Sequence, residues 1–258
     1  MKSLEKFLAV FEAEMKAYVR EAGPLVFMAS FPFFFSLLTY GVGSVLSEGQ
    51  ASPRDWFFQL IGFSVMTISI TMASATAWYF RRGMITGRLE YTMAAPVNPI
   101  IIALASSLAH VAVALMSFIV VGFVGVLSVY GAAHLLNLTA ALLLVFIALL
   151  PVVGINLVVG TLTIVMKEPE PISSTVSAVA SATSGFVYPI TMLPTLLQLV
   201  GKTLPYFYVV ETARSLIDGY FEATQLTNIF LMLAYLALGL AVYRLGENYY
   251  ARKVGVHW

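Results

Sequence analysis

The chain contains no cysteine and little charge. Without thiols there are no disulfides, no thiol catalysis and no cysteine-ligated zinc, and the redox compartment stays open. Only 10% of the 258 residues are charged, well below the roughly 25% of an ordinary soluble domain. Hydrophobic residues make up 60%. That leaves too few Lys, Arg, Asp and Glu side chains to coat a water-facing surface. The composition is that of a membrane protein. A net charge of +1 with no basic stripe excludes nucleic acid as a partner.

Several chemistries are missing as well. Gly201-Lys202-Thr203 copies the end of a phosphate-binding loop. The full motif needs a glycine five residues before Gly201, where Leu196 stands, and Pro205 interrupts the helix that should follow. The chain therefore has no ATP-binding motif and is expected not to be an enzyme. His110, His134 and His257 lie far apart in sequence, and no His/Glu pair falls one helical turn apart, so no metal site is expected. Asn137-Leu138-Thr139 has the form of a glycosylation sequon and reads as coincidence. The apolar stretches hold no ionisable residue except His110, which reads better as a packed neutral side chain than as a proton relay. Ion-driven transport usually needs such groups at mid-membrane, so any transport energy is expected to come from elsewhere.

What is present is a series of apolar stretches. Residues 1–23 come first and are amphipathic. Leu4, Phe7, Leu8, Phe11, Met15 and Tyr18 recur at helical spacing, with Glu5, Lys6, Glu12, Lys16 and Arg20 opposite. The pattern predicts a helix lying along the membrane surface. Charges scattered along it exclude a cleaved signal peptide. A span needs about 20 mostly apolar residues, and six segments qualify: 24–46, 56–80, 99–127, 138–165, 172–190 and 226–243. No charge occurs between Glu90 and Lys167. That stretch fits two long spans or three short ones, and the weak break at 128–137 favours two.

Charge parity agrees with six. Cytoplasmic segments collect Lys and Arg. With both termini inside, Lys2, Lys6, Lys16, Arg20, Arg81, Arg82, Arg88, Lys167, Arg244, Arg252 and Lys253 are cytoplasmic. Arg54, Lys202 and Arg214 are then outside. A third span in the neutral stretch makes the asymmetry weaker. Between 191 and 222 the pattern changes. Two apolar pieces, 189–200 and 204–217, are too short to cross and are punctuated by Pro189, Pro194 and Pro205. They predict two short helices that dip into the outer leaflet and return, packed against the bundle or a partner.

Two hydroxyl stripes run along helix faces. One is Ser64, Thr67, Thr71 and Ser74; the other is Ser173, Ser177, Ser181 and Ser184. They serve either close helix packing or a translocation path or subunit seam. Pro151 is expected to kink its span. The loop 81–98 carries Arg81, Arg82, Gly83, Gly87, Arg88, Leu89 and Glu90, then Ala94-Ala95-Pro96. It predicts a short helix over about 88–95, ended by Pro96, which mere anchoring by arginines does not explain.

This loop resembles the one after the second span in the membrane subunits of type-2 ABC transporters, whose pattern runs R-R-x-x-G-T-L-E and ends in A-S-P-V. Arg88 stands where the family has Thr. The segment from Pro189 through Pro194, Leu204-Pro205 and Glu211 to Arg214 resembles the family's Pro-rich extracellular hairpin. The amphipathic start resembles its connecting helix. The resemblance covers nearly the whole chain. It implies an all-α membrane protein forming a single transmembrane domain, 1–258. The domain would have six transmembrane helices, an N-terminal surface helix, a cytoplasmic coupling helix and an extracellular re-entrant hairpin. It implies that Arg81, Arg82, Gly87, Arg88, Leu89, Glu90 and Pro96 contact a separate ABC ATP-binding subunit, which would hold ATP and magnesium. A second permease copy or a paralogue would complete the path, in the lipid of the cell membrane, for export. Glu211 and Arg214 are spaced to pair at the surface, and Asp218 stands four residues beyond Arg214. The rival reading is an ATP-independent channel, scramblase or assembly factor. Substrate identity is not legible.

Overall fold

A computed structural model of the chain describes residues 3–20, 22–94, 98–220 and 222–254. The described residues form eleven α-helices. Helix α1 (Ser3–Arg20) is the amphipathic start, with an exposed Lys16–Glu12 ion pair at 2.6 Å on its polar face. Helix α2 (Ala22–Leu46) carries Pro32 in its interior.

Helix α3 (Pro53–Ile85) opens with a capping box. The Asp55 amide donates to Ser52 Oγ at 3.3 Å, and the Ser52 amide donates to Asp55 Oδ2 at 2.7 Å. Pro53 sits in the first turn, where its missing N–H costs nothing. At 33 residues α3 is about 50 Å long. It runs past the membrane-length segment expected at 56–80 and includes Arg81, Arg82 and Gly83, which had been assigned to the loop. Charges at the end of a long helix reach water without breaking it. Gly87, with φ of +71°, ends this run, because only glycine takes that turn without strain.

Helix α4 (Arg88–Ala94) follows. The expected stop at Pro96 lies outside the described residues. Helix α5 (Pro99–Val129) is capped by Asn98, whose Oδ1 accepts from the Ile100 amide at 3.1 Å. A 3-10 turn at Ala132–His134 leads to α6 (Leu135–Met166), which contains Pro151. The uncharged stretch thus contains two long helices.

The fifth expected span, 172–190, is where the structure departs most. Helix α7 (Pro169–Thr183) has 15 residues, about 22 Å, less than the roughly 30 Å of a hydrocarbon core. Gly185, with φ of +69°, and then Pro189 end it early. After a 3-10 turn at Ile190–Met192 come α8 (Thr195–Thr203) and α9 (Pro205–Asp218), separated by Leu204 in an extended conformation. The last apolar segment is two helices, α10 (Ala223–Met232) and α11 (Ala234–Val254).

Among the described residues five stretches are helical, long and apolar enough to cross a membrane: Leu25–Leu46, Pro53–Ile85, Ile100–Val129, Ala132–Met166 and Ala223–Tyr249. Their burial is uneven. The most apolar window of α3 is 72% buried, whereas those of α2 and of α10–α11 are each 17% buried. Helix α3 is therefore the axis of the bundle, packed against α2, α5, α6 and α7. Helices α2, α10 and α11 turn apolar faces outward.

Backbones meet closely where α6 crosses the last segment. A methyl group on Gly154 would lie 2.1 Å from the Tyr235 carbonyl oxygen, and one on Gly239 would lie 2.1 Å from the Gly154 carbonyl oxygen. Small residues allow this approach. Gly239→Leu is expected to lower the apparent melting temperature of the detergent-solubilised protein by about 5 °C or more. Gly41→Leu, where nothing lies within 4 Å, leaves it unchanged.

Candidate functional site

Two regions carry chemistry, one at each end of α3. The first is the tip formed by the end of α3 and by α4. Leu89 is its anchor. It is buried with Phe80, Ala103, Leu157, Ile164 and Tyr243, and its Cβ lies 3.4 Å from where a side chain on Gly83 would begin. Gly87 makes the turn, and its carbonyl accepts from the Glu90 and Tyr91 amides. Thr86 Oγ1 donates to the Arg82 carbonyl at 2.8 Å and closes the end of α3. The Arg88 guanidinium stacks 4.6 Å from the Tyr79 ring centroid, so α4 is clamped to α3 on its polar side as well.

That leaves an exposed tip. Arg82 and Glu90 face solvent, Arg81 is half-buried, and Ile85 and Tyr91 are exposed at 66% and 79%. The pattern had assigned seven residues here to one role. The structure divides six of them into a turn (Gly87), anchors (Leu89 and Arg88) and a surface. Pro96 lies outside the described residues. Ile85 and Tyr91, which sequence reasoning passed over, supply the apolar part of that surface. Their signal was an apolar side chain beside charges in a loop. Burial raises the pKa of Glu14 on α1, and the Arg88 charge acts against that rise, so α1 also lies near this tip.

The second region is at the other end, where α9 meets α3. Arg214 was expected to pair with Glu211 at the surface. Instead it is buried and turned inward, while Glu211 is exposed. Its Nε and Nη2 donate to the Phe58 carbonyl at 3.1 and 2.8 Å. Nη1 donates to the Gly185 carbonyl at 2.8 Å, and Nη2 to the Phe186 carbonyl at 2.6 Å. The guanidinium also lies 3.4 Å from the Phe58 ring centroid. Among the described residues no carboxylate forms an ion pair with it. The planar fork of arginine suits such a set of acceptors; the point charge of lysine does not. Two of the carbonyls it ties are in the turn after α7 and the third is on α3, so Arg214 fastens that turn and α9 to α3.

Pro205 is buried in the first turn of α9, and Pro194 is exposed immediately before α8. Gly62 makes room for the clamp. A methyl group there would lie 1.6 Å from the Phe186 carbonyl oxygen and 2.3 Å from Arg214 Nη2.

Between these ends run the hydroxyl stripes. Gly62 lies beside Phe186, and Ala77 packs with Ile172, so α3 and α7 are antiparallel neighbours. That register sets Ser64 near the level of Ser184, Thr67 near Ser181 and Thr71 near Ser177. The hydroxyls of Ser64 and Thr67 are buried and donate to their own helix, to the Leu60 and Phe63 carbonyls, each at 2.7 Å. Ser173 does the same to the Pro169 carbonyl at 2.9 Å. Thr71, Ser74 and Ser181 are half-buried. Ser177 and Ser184 have buried oxygens with no partner, as does the Asn156 amide on α6. Three of the eight hydroxyls are thus satisfied within their own helix, and the two buried oxygens without a partner lie on α7 and at the residue that caps it. His110 is buried, with Nδ1 2.6 Å from the Ser106 carbonyl, and packs edge-on against Tyr18. This is the packed role expected of it. Among the described residues no group of His, Asp and Glu is placed to hold a metal.

Arg214→Gln and Gly62→Ala are each expected to destabilise the protein by about 3 kcal/mol or more, because buried carbonyls lose their donors. Glu211→Gln is expected to stay within about 0.5 kcal/mol of wild type. Denaturant melts monitored by tryptophan fluorescence distinguish these outcomes.

A family model, ABC-2 type transporter, matches residues 5–217, from α1 through nearly all of α9. No curated protein matches the chain.

Proposed function

Since the chain belongs to the ABC-2 type transporter family and is a membrane permease subunit of a type-2 ABC transporter, we propose that it forms the translocation pathway of an ATP-driven exporter. It would work as a pair, with a second copy or a paralogue, and couple through α4 to a separate ATP-binding subunit that supplies ATP and magnesium. The observation that carries this reading is the tip. A seven-residue helix held to the longest helix by Leu89 and by Arg88 on Tyr79 leaves Arg82, Ile85, Glu90 and Tyr91 facing outward. A rigid anchor transmits displacement, and an exposed surface of mixed apolar and charged residues suits a docking partner.

In this reading the tip and both termini are cytoplasmic, and α8–α9 lie on the outer side as a re-entrant hairpin. Helix α7, with the turn that follows it, serves as the sixth crossing. The protein's own residues perform no bond chemistry. Closure of two ATP-binding subunits would push α4. The push would pass along α3 to the Arg214 clamp and the hairpin, shifting the balance between two arrangements of the pathway. The weakly buried faces of α2, α10 and α11 are left for lipid or for the second permease.

Glu90→Ala and Tyr91→Ala should each cut co-purification of the ATP-binding subunit, or its transport-linked ATP hydrolysis, at least about tenfold. The melting temperature of the permease should stay unchanged. Undiminished coupling in the double variant would contradict the assignment and favour an ATP-independent channel, scramblase or assembly factor.

A further inference from the structure

A cavity of about 670 Å³ opens at the α8–α9 end of the bundle, away from the α4 tip. Its wall is drawn from the ends of α2 and α3, the α5–α6 turn, the segment after α7, and α9. Its formal charges balance, two guanidiniums against two carboxylates, but its hydrogen-bonding capacity does not. Two carboxylates line it, and both are already engaged. Asp55 accepts from the Ser52 amide at 2.7 Å and from Ser52 Oγ at 2.8 Å, and Asp218 accepts from the Tyr130 hydroxyl.

Two guanidiniums also line it, and among the described residues neither forms an ion pair. Arg54 is exposed, lies 5.7 Å from the Tyr130 ring centroid and, among the described residues, makes no hydrogen bond. Arg214 spends four of its N–H groups on carbonyls, and its charge is offset in part by Glu211 and Asp218 on the same helix. One Nη1 proton stays uncommitted. His134 adds a buried Nδ1 without a partner. The unspent capacity of the cavity is therefore N–H donors, those of Arg54 above all, framed by aromatic rings.

We propose that this cavity is an anion site for a phosphate group, a mono- or diester. Arg54 is the principal ligand-binding residue and Asp218 is a repulsive neighbour that limits affinity. Arginine presents parallel donors matched to phosphate oxygens. One wall is Tyr40 and Gly43 of α2, a weakly buried helix, so a phospholipid can reach the site from the bilayer. A free phosphate can enter from solvent. Naming the outer leaflet rests on the orientation proposed above; the site itself needs neither ATP nor a partner subunit.

The test uses the full chain in a maltoside detergent, which carries no phosphate. Native mass spectrometry would follow binding of short-chain phosphatidylglycerol, of diacylglycerol with the same chains, and of inorganic phosphate. The expected result is retention of a phosphate-bearing ligand and not of diacylglycerol. Arg54→Gln should weaken binding about tenfold or more, as for a lost charge-assisted hydrogen bond. Arg54→Lys should restore part of it, and Asp218→Asn should tighten it severalfold. Binding of phosphatidylglycerol alone assigns a lipid headgroup, and competition by inorganic phosphate assigns a soluble anion; both support the site. Equal retention of diacylglycerol and phosphatidylglycerol, or unchanged affinity in Arg54→Gln, overturns it. Because binding is read without the ATP-binding subunit, failure here leaves the α4 coupling reading intact, and failure of coupling leaves this one intact.

Discussion

A single buried guanidinium holds the end of the bundle together. Arg214 reaches from α9 to the Phe58 carbonyl on α3 and to the Gly185 and Phe186 carbonyls after α7. Each of those segments leaves its neighbours for a physical reason. Helix α7 stops because Gly185 adopts a left-handed conformation, and the carbonyls beyond it have no helical partner. A buried carbonyl without a donor is costly, and a buried cation without acceptors costs more. The clamp meets both demands at once, and Gly62 is the opening that lets it fit. Remove either element and α9 loses its polar tie to α3 and to the turn after α7.

The same helix carries the consequence to the opposite end. Helix α3 is the most buried of the candidate spans and is continuous from the Ser52–Asp55 capping box to Ile85. Leu89 and Arg88 fix α4 to its far end. A long rigid helix clamped at both ends is a lever. In the proposed reading, such an element would connect the docking surface at α4 to the α8–α9 segment at the other end of the bundle.

Much of this was legible in the amino-acid order, and the misses have physical causes. Hydropathy found the long apolar stretches, because a bilayer demands about 20 apolar residues and little else satisfies it. The two glycines at 83 and 87 and the Arg-Leu-Glu run marked α4. The charges of Arg81 and Arg82 were read as the end of a span, but a helix continues through charges once it leaves hydrocarbon. The length of α7 was misjudged because its termination depends on a backbone angle at Gly185 rather than on a loss of apolar character. Arg214 was misplaced because helical spacing shows only local partners. Its acceptors are 28 to 156 residues away, and no local pattern reveals them. The hydroxyl stripes were seen as faces, but whether a serine bonds its own helix or a neighbour depends on a rotamer.

The account stands or falls on which side of the membrane each end of α3 occupies. The absence of native cysteine makes this directly measurable with single introduced thiols and a membrane-impermeant maleimide on intact cells. Tyr91→Cys, at the α4 tip, should stay unlabelled until the cells are opened. Lys202→Cys, in the last turn of α8, should label at once. Labelling of both positions from the same side would contradict the assignment of a nucleotide-side docking tip and an opposite-side hairpin.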